Sequence, residues 1–264
     1  ETVVNQIKRF TVAVMVACVA ACASSATEQH EYDDPFEGYN RAMFSFNYQV
    51  DKYVIKPVAE GYRAVTTPFI RERISSVIDN LKEPVSAGNH LLQADPEASV
   101  KSLSRFVINS TLGLVGMFDV AEGWGLPKDK TTFNETFAKW CIPQGPFIVL
   151  PLLGPSTPRA ATGMALDFVF DPVYWATYQD ANVHDKASWG YAIAQGITAR
   201  EAALDILDDL ERNSVDFYAT MRSAYLQNQS KLKCFNDVSK DENTYDFDFG
   251  IEDEDAAFDE MEAE

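Results

Sequence analysis

Prolines punctuate this chain where helices can begin, and no other feature limits its fold as much. A proline in the first turn of a helix loses nothing, because the N–H it lacks would have no partner there, and an acidic or hydroxyl residue before it caps the turn. Asp34-Pro35 and Asp95-Pro96 have this form, Glu83-Pro84 repeats it, and Pro57, Pro68 and Pro158 mark further starts. Between these points apolar residues recur at helical spacing. The first segment carries Phe36, Tyr39, Met43, Phe44, Phe46 and Tyr48 and is aromatic over much of its circumference. Further helices are expected at 58–65, at 69–81, from Pro84 to near Gln93, and from Pro96 through Val100, Leu103, Phe106 and Val107 to Leu112.

Gly113 and Gly116 end that series. The stretch up to Thr132 reads as loops with a short helix, and 132–140 as helical. The segment 143–155 is apolar and enclosed by Pro143, Gly145, Pro146, Pro151, Gly154 and Pro155. Its prolines exclude a regular helix or a central strand. Pro158 and Arg159 open another helix, 172–178 is an aromatic patch, and two long amphipathic helices are expected at 187–209 and 214–232. Strand signals are scarce and no internal repeat is present. The expected fold class is all-α, a single helical domain over 34–233.

The N-terminus supplies a location. Lys8 and Arg9 precede an apolar run from 10 to 21 of roughly 12 residues, short of the roughly 20 that span a bilayer. Val19-Ala20-Ala21-Cys22 then places small residues before a cysteine, which reads as a lipoprotein signal over 1–21 with Cys22 acylated. An uncleaved anchor and an ordinary secretory signal are the alternatives. Ala23 and Ser24 after the cysteine favour the outer membrane, and 22–33 form a polar linker.

Charge narrows the partners. The chain has 22 basic and 40 acidic residues, a net charge of −18, which disfavours nucleic acid and simple docking on anionic headgroups. Thirteen of those acidic residues lie between 237 and 264 beside one lysine, so 234–264 is expected to be an acidic, disordered tail. Cys141 and Cys234 remain after lipidation and either form a disulfide or stay as two buried thiols. His30, His90 and His184 have no ligand spacing, so no metal or other cofactor is expected. The chain also has no nucleophile elbow, phosphate loop or dinucleotide fingerprint, and is not expected to be an enzyme.

The run Asp34-Pro35-Phe36-Glu37-Gly38-Tyr39-Asn40-Arg41-Ala42-Met43-Phe44-Ser45-Phe46-Asn47 resembles the opening motif of the MlaA (VacJ) lipoproteins, D-P-x-E-x-x-N-R-x-x-[FY]-x-F-N. Asn80-Leu81-Lys82-Glu83-Pro84, Leu91-Leu92-Gln93-Ala94-Asp95-Pro96, Arg105-Phe106-Val107-Ile108-Asn109-Ser110, Gly116-Met117-Phe118-Asp119-Val120-Ala121 and Gly145-Pro146-Phe147 follow in the same order, so the likeness covers about 34–230. The resemblance implies a ring of amphipathic helices around a central channel. It implies a lipoprotein in the inner leaflet of the outer membrane, associated with a porin trimer. Such a protein would remove mislocalised phospholipid from the outer leaflet and pass it to a periplasmic carrier of the MlaC type. A porin-associated scaffold that moves no lipid is the alternative.

It also implies roles for residues. Pro143, Gly145, Pro146 and Gly154 would belong to a hairpin loop beside the channel, with a stiffer hinge here because Pro143 and Cys141 stand where glycine is often found, more so if Cys141 is bridged to Cys234. Asn47 and Tyr48 would control lipid access, or be core or membrane contacts. Glu37, Asn40, Arg41 and Arg105 would form a buried polar network or meet a headgroup phosphate, which suits arginine.

Overall fold

The computed structural model describes residues 34–177 and 181–235, with backbone alone at 181–185. Cys22, the linker and almost all of the acidic tail lie outside the described residues.

Helix α1 (Glu37–Val50) passes through a π-helical turn (Asp51–Ile55) into α2 (Lys56–Val65). The sequence suggested a fresh start at Pro57, but the helical path is continuous. The wide turn ends two residues before Pro57, which cannot donate to the backbone ladder. Helix α3 (Pro68–Leu92) is capped by Thr67, whose hydroxyl accepts from Ile70 N, and α4 (Pro96–Thr111) by Asp95, whose carboxylate accepts from Ala98 N. Pro84 does not begin a helix; it lies inside α3. One face of α3 buries Asn80, Glu83, Ser86, Ala87, Asn89 and His90, and that packing, mainly on α4, outweighs the lost backbone bond.

Short helices α5 (Val120–Gly123) and α6 (Phe133–Lys139) follow, α6 carrying a full capping box between Thr132 and Glu135. Strands β1 (Ile148–Leu150) and β2 (Gly154–Ser156) form an antiparallel hairpin in the register Ile148 to Ser156 and Leu150 to Gly154. Then come α7 (Pro158–Val169), α8 (Pro172–Thr177), α9 (Ala181–Ala202), α10 (Leu204–Asn213) and α11 (Phe217–Ser230). The expected helix at 187–209 is therefore two helices with a break at Ala203.

The contacts close a circuit: α1 continues through its π turn to α2, α2 packs on α9, α9 on α10, α10 on α11, α11 on β2, and β1 on α1. This is the ring-like arrangement of helices and hairpin that the family resemblance implied. A cluster of Phe147, Val149 and Tyr218, with Met43, Phe44, Tyr225 and Leu226 against it, seals one side of the ring. Elsewhere the usual distribution is reversed. Asn40, Asn80, Glu83, Asn89, Gln93, Arg105, Asn109 and Thr136 are buried, while Phe69, Leu91, Val100, Leu103, Val107, Leu114, Val115 and Phe168 are exposed. Among the described residues no helix is long and apolar enough to cross a membrane.

Candidate functional site

Two asparagines two helical turns apart attach the hairpin to α1. Asn40, which is fully buried, donates through Nδ2 to Phe147 O (3.1 Å) and Asp34 Oδ1 (2.8 Å), and its Oδ1 accepts from Val149 N (2.8 Å). Asn47 donates to Leu150 O (2.8 Å) and accepts from Leu152 N (2.7 Å). Side-chain amides have the same donor and acceptor as a peptide group. Asn40 and Asn47 therefore act as a missing neighbour for the outer edge of β1, which would otherwise present unpaired groups. The second clamp also fixes the tip, where Leu152 is held at φ 64° and, like Leu153, is exposed.

Inside the circuit lies a cavity of about 500 Å³. Its wall mixes apolar groups (Phe44, Ile55, Leu152, Leu153, Leu207, Phe217, Met221) with Asn47, Tyr48, Asp51, Arg200 and Glu211. Arg200 makes a two-pronged pair with Asp51 across the ring, Nε to Oδ1 at 2.7 Å and Nη2 to Oδ2 at 2.8 Å. Tyr48 donates its hydroxyl to Glu211 Oε1 at 2.5 Å, and this bond raises the phenol above its usual pKa. One wall of the cavity is the hairpin itself, so any movement of the hairpin alters the cavity.

The root of the hairpin is tied on several sides. Cys141 and Cys234 form a disulfide with Cα atoms 4.8 Å apart, joining the root to the end of α11. Phe235 N donates to Lys139 O at 3.1 Å beside it. Arg159 is buried and donates to Ile142 O (3.0 Å), Asn134 Oδ1 (3.1 Å) and Gln229 Oε1 (3.3 Å). Burial pulls that guanidinium below its usual pKa. Pro143 and Pro146 flank Gly145, which sits at φ 76°, and a Cβ there would meet the Pro158 ring at 3.1 Å. Gly154, at φ 82°, starts the return strand in open space.

The four residues grouped as one polar network occupy three places. Asn40 is on the hairpin edge. Arg41 is exposed, pairs with Glu37 (2.7 Å) and Asp216 (2.8 Å), and lies 4.4 Å from the centre of the Tyr218 ring. Arg105 is 1% exposed and far along α4, where it meets Glu83 (2.7 Å) and Asp119 (2.7 Å). Burial opposes ionisation of Asp119, but hydrogen bonds from Arg105, Asn109 and Glu122 N outweigh it and hold its pKa at about 2. This cluster joins α3, α4 and the start of α5 and does not line the ring cavity. Of the expected access residues, Asn47 and Tyr48 do line it. Asp51, Arg200 and Glu211 were not singled out from sequence. They are ordinary charged positions on amphipathic helices, and only the closure of the ring brings them together.

Residues 32–232 match the model of the family described as MlaA lipoprotein. The chain belongs to the MlaA lipoprotein family. It is 34% identical over 230 residues to the Escherichia coli protein "Intermembrane phospholipid transport system lipoprotein MlaA", covering 85% of this chain and 88% of that one. The protein of the same name from Haemophilus influenzae is 31% identical over 219 residues, with 81% and 84% covered. A Rickettsia typhi protein of uncharacterised function is 35% identical over 195 residues, 74% and 75% covered. A solved structure described as "Structural basis for maintenance of bacterial outer membrane lipid asymmetry" superposes with a TM-score of 0.65 at 34% identity, covering 76% of this chain and 98% of that chain. The MlaA match takes in both asparagine clamps, the hinge and every residue named in the cavity wall, whereas Cys22 and Cys234 fall outside it.

Proposed function

We propose that this chain is an outer-membrane lipoprotein that maintains lipid asymmetry by removing mislocalised phospholipid from the outer leaflet. Lipid would pass through the ring cavity towards the periplasm. The observation that carries this reading is the amphipathic cavity: a largely apolar wall that also presents Asn47, Tyr48, Asp51, Arg200 and Glu211, in a body that exposes many large apolar side chains. A headgroup crossing hydrocarbon loses several kcal/mol of hydration unless polar groups replace the water. Exposed apolar surface of this extent suits contact with lipid or with another membrane protein. The homologues' names point the same way.

The finer parts belong to the same proposal. Cys22 is acylated and tethers the protein to the inner leaflet of the outer membrane. The apolar face of α4 at Val100, Leu103 and Val107 meets a porin trimer, and a periplasmic carrier of the MlaC type receives the lipid. Pro143, Gly145, Pro146 and Gly154 frame a loop that gates the cavity, and Asn47 and Tyr48 control entry. The protein catalyses no bond cleavage and uses no cofactor.

The test is phospholipid exposed in the outer leaflet of cells lacking the gene, complemented with wild type, Gly145→Ala or Cys22→Ala. Exposure in the deletion and its reversal by wild type are expected. Gly145→Ala should restore porin co-purification but not the outer leaflet. Cys22→Ala should fail through mislocalisation. A deletion strain with a normal outer leaflet would sink the transport reading. Loss of both porin binding and transport in Gly145→Ala would favour a scaffold.

A further inference from the structure

We infer that the ring cavity selects phospholipids whose headgroup carries an ammonium over those whose headgroup is purely anionic, with Glu211 as the specificity residue. This rests on the transport reading and names its preferred substrate class.

Three charged side chains line the cavity: Asp51, Arg200 and Glu211. Arg200 and Asp51 engage each other through two bonds of 2.7 and 2.8 Å, so their charges balance. Nearby, Lys56 is held by both carboxylate oxygens of Asp208 at 2.8 Å and balances that group. Glu211 accepts from the neutral Tyr48 hydroxyl. Among the described residues Glu211 is therefore the one charged group of the wall without a direct ion pair, and the nearby Lys56, already paired with Asp208, also feels its charge.

The surface beside that charge is aromatic. Tyr48 and Phe217 pack edge to face with centroids 6.2 Å apart, and Phe44 joins Phe217 at 5.4 Å. Aromatic faces attract ammonium groups, and a carboxylate at their edge adds direct pairing. The Tyr48 ring already has a cation near it: Lys52 Nζ is 5.7 Å from its centre, although Lys52 does not line the cavity. Every phospholipid brings a phosphate, so the phosphate does not discriminate. The second headgroup charge does. An ammonium gains both the carboxylate and the aromatic face, whereas a headgroup with only its phosphate charge gains neither and is repelled by Glu211.

The experiment uses full-length protein in detergent, incubated with vesicles of equimolar phosphatidylethanolamine and phosphatidylglycerol bearing identical acyl chains. Bound lipid is then recovered and quantified by mass spectrometry. Wild type should retain the ethanolamine lipid in about fivefold excess, the scale of an exposed ion pair together with a cation–aromatic contact. Glu211→Gln keeps an acceptor for Tyr48 and should bring the two lipids to equal retention; Glu211→Lys should invert the preference. Equal retention by wild type overturns the inference while leaving transport intact, and so does a preference that both variants leave unchanged. Recovery of neither lipid overturns the transport reading and the selectivity together.

Discussion

Replacing Asn40 by alanine tests the idea that α1 holds the hairpin through side-chain amides. Asn40 is 0% exposed and makes three hydrogen bonds, with Asp34, Phe147 O and Val149 N. Each such bond contributes about 1 kcal/mol net, and a buried N–H left without an acceptor adds a desolvation penalty of about 1–3 kcal/mol, so the loss should be about 4–6 kcal/mol. That is a large share of the roughly 5–15 kcal/mol that stabilises a typical domain. Guanidinium unfolding of the oxidised protein, followed by far-ultraviolet circular dichroism, should show a lower midpoint with an unchanged slope. Asn47→Ala removes two bonds at a half-buried tip and should lose only about 1–2 kcal/mol. An Asn40→Ala midpoint within the equivalent of about 0.5 kcal/mol of wild type would refute the clamp, since that is the range of surface substitutions away from structural features.

Two further outcomes follow from the same structure. The Cys141–Cys234 bridge closes a 93-residue separation, and reducing it or replacing both cysteines by serine should destabilise the protein by roughly 4–5 kcal/mol in the loop-entropy model, read as a lower unfolding midpoint with reductant present. Burial raises the Asp167 carboxyl from 3.8 to about 6, so the folded state holds a proton that the unfolded chain has released. Stability should therefore be greatest below pH about 4 with respect to this group and fall by about 2–3 kcal/mol as pH rises through 6, and Asp167→Asn should flatten that part of the stability–pH profile.

Much of the architecture was legible because its signals are local. Thr67, Asp95 and Thr157 each cap a helix beginning with proline, and hydroxyl or carboxylate followed by proline can be read without knowing the fold. Pro84 misleads by the same rule, since its neighbours Glu83 and Ser86 are buried by α4 and that tertiary packing keeps the helix intact. The break at Ala203 carries neither glycine nor proline, so periodicity ran straight through it. The hairpin strands are three residues each, with Pro151 after the first and Gly154 opening the second, too short for an alternating pattern. At the site, Asn47 stood out as the last residue of the family motif and Tyr48 as the aromatic residue next to it on the first helix. The Asp51–Arg200 pair and Glu211 did not, because residues 149 positions apart meet only once the ring closes. Grouping Arg105 with Arg41 failed for the same reason: arginine suits both a buried structural cluster and an exposed pair, and sequence does not say which element faces it.

The proposed function requires lipid to pass through the ring cavity. Gly196 on α9 lines that cavity, and a Cβ built there meets nothing within 4 Å, so a side chain can start there without a backbone clash and Gly196→Phe would put a ring in the passage. The measurement is outer-leaflet phospholipid in a deletion strain complemented with this variant, at matched levels of membrane-inserted protein. The exposed phospholipid of the uncomplemented deletion is the expected result. A wild-type outer leaflet, with the variant folded and present in normal amount, would contradict it.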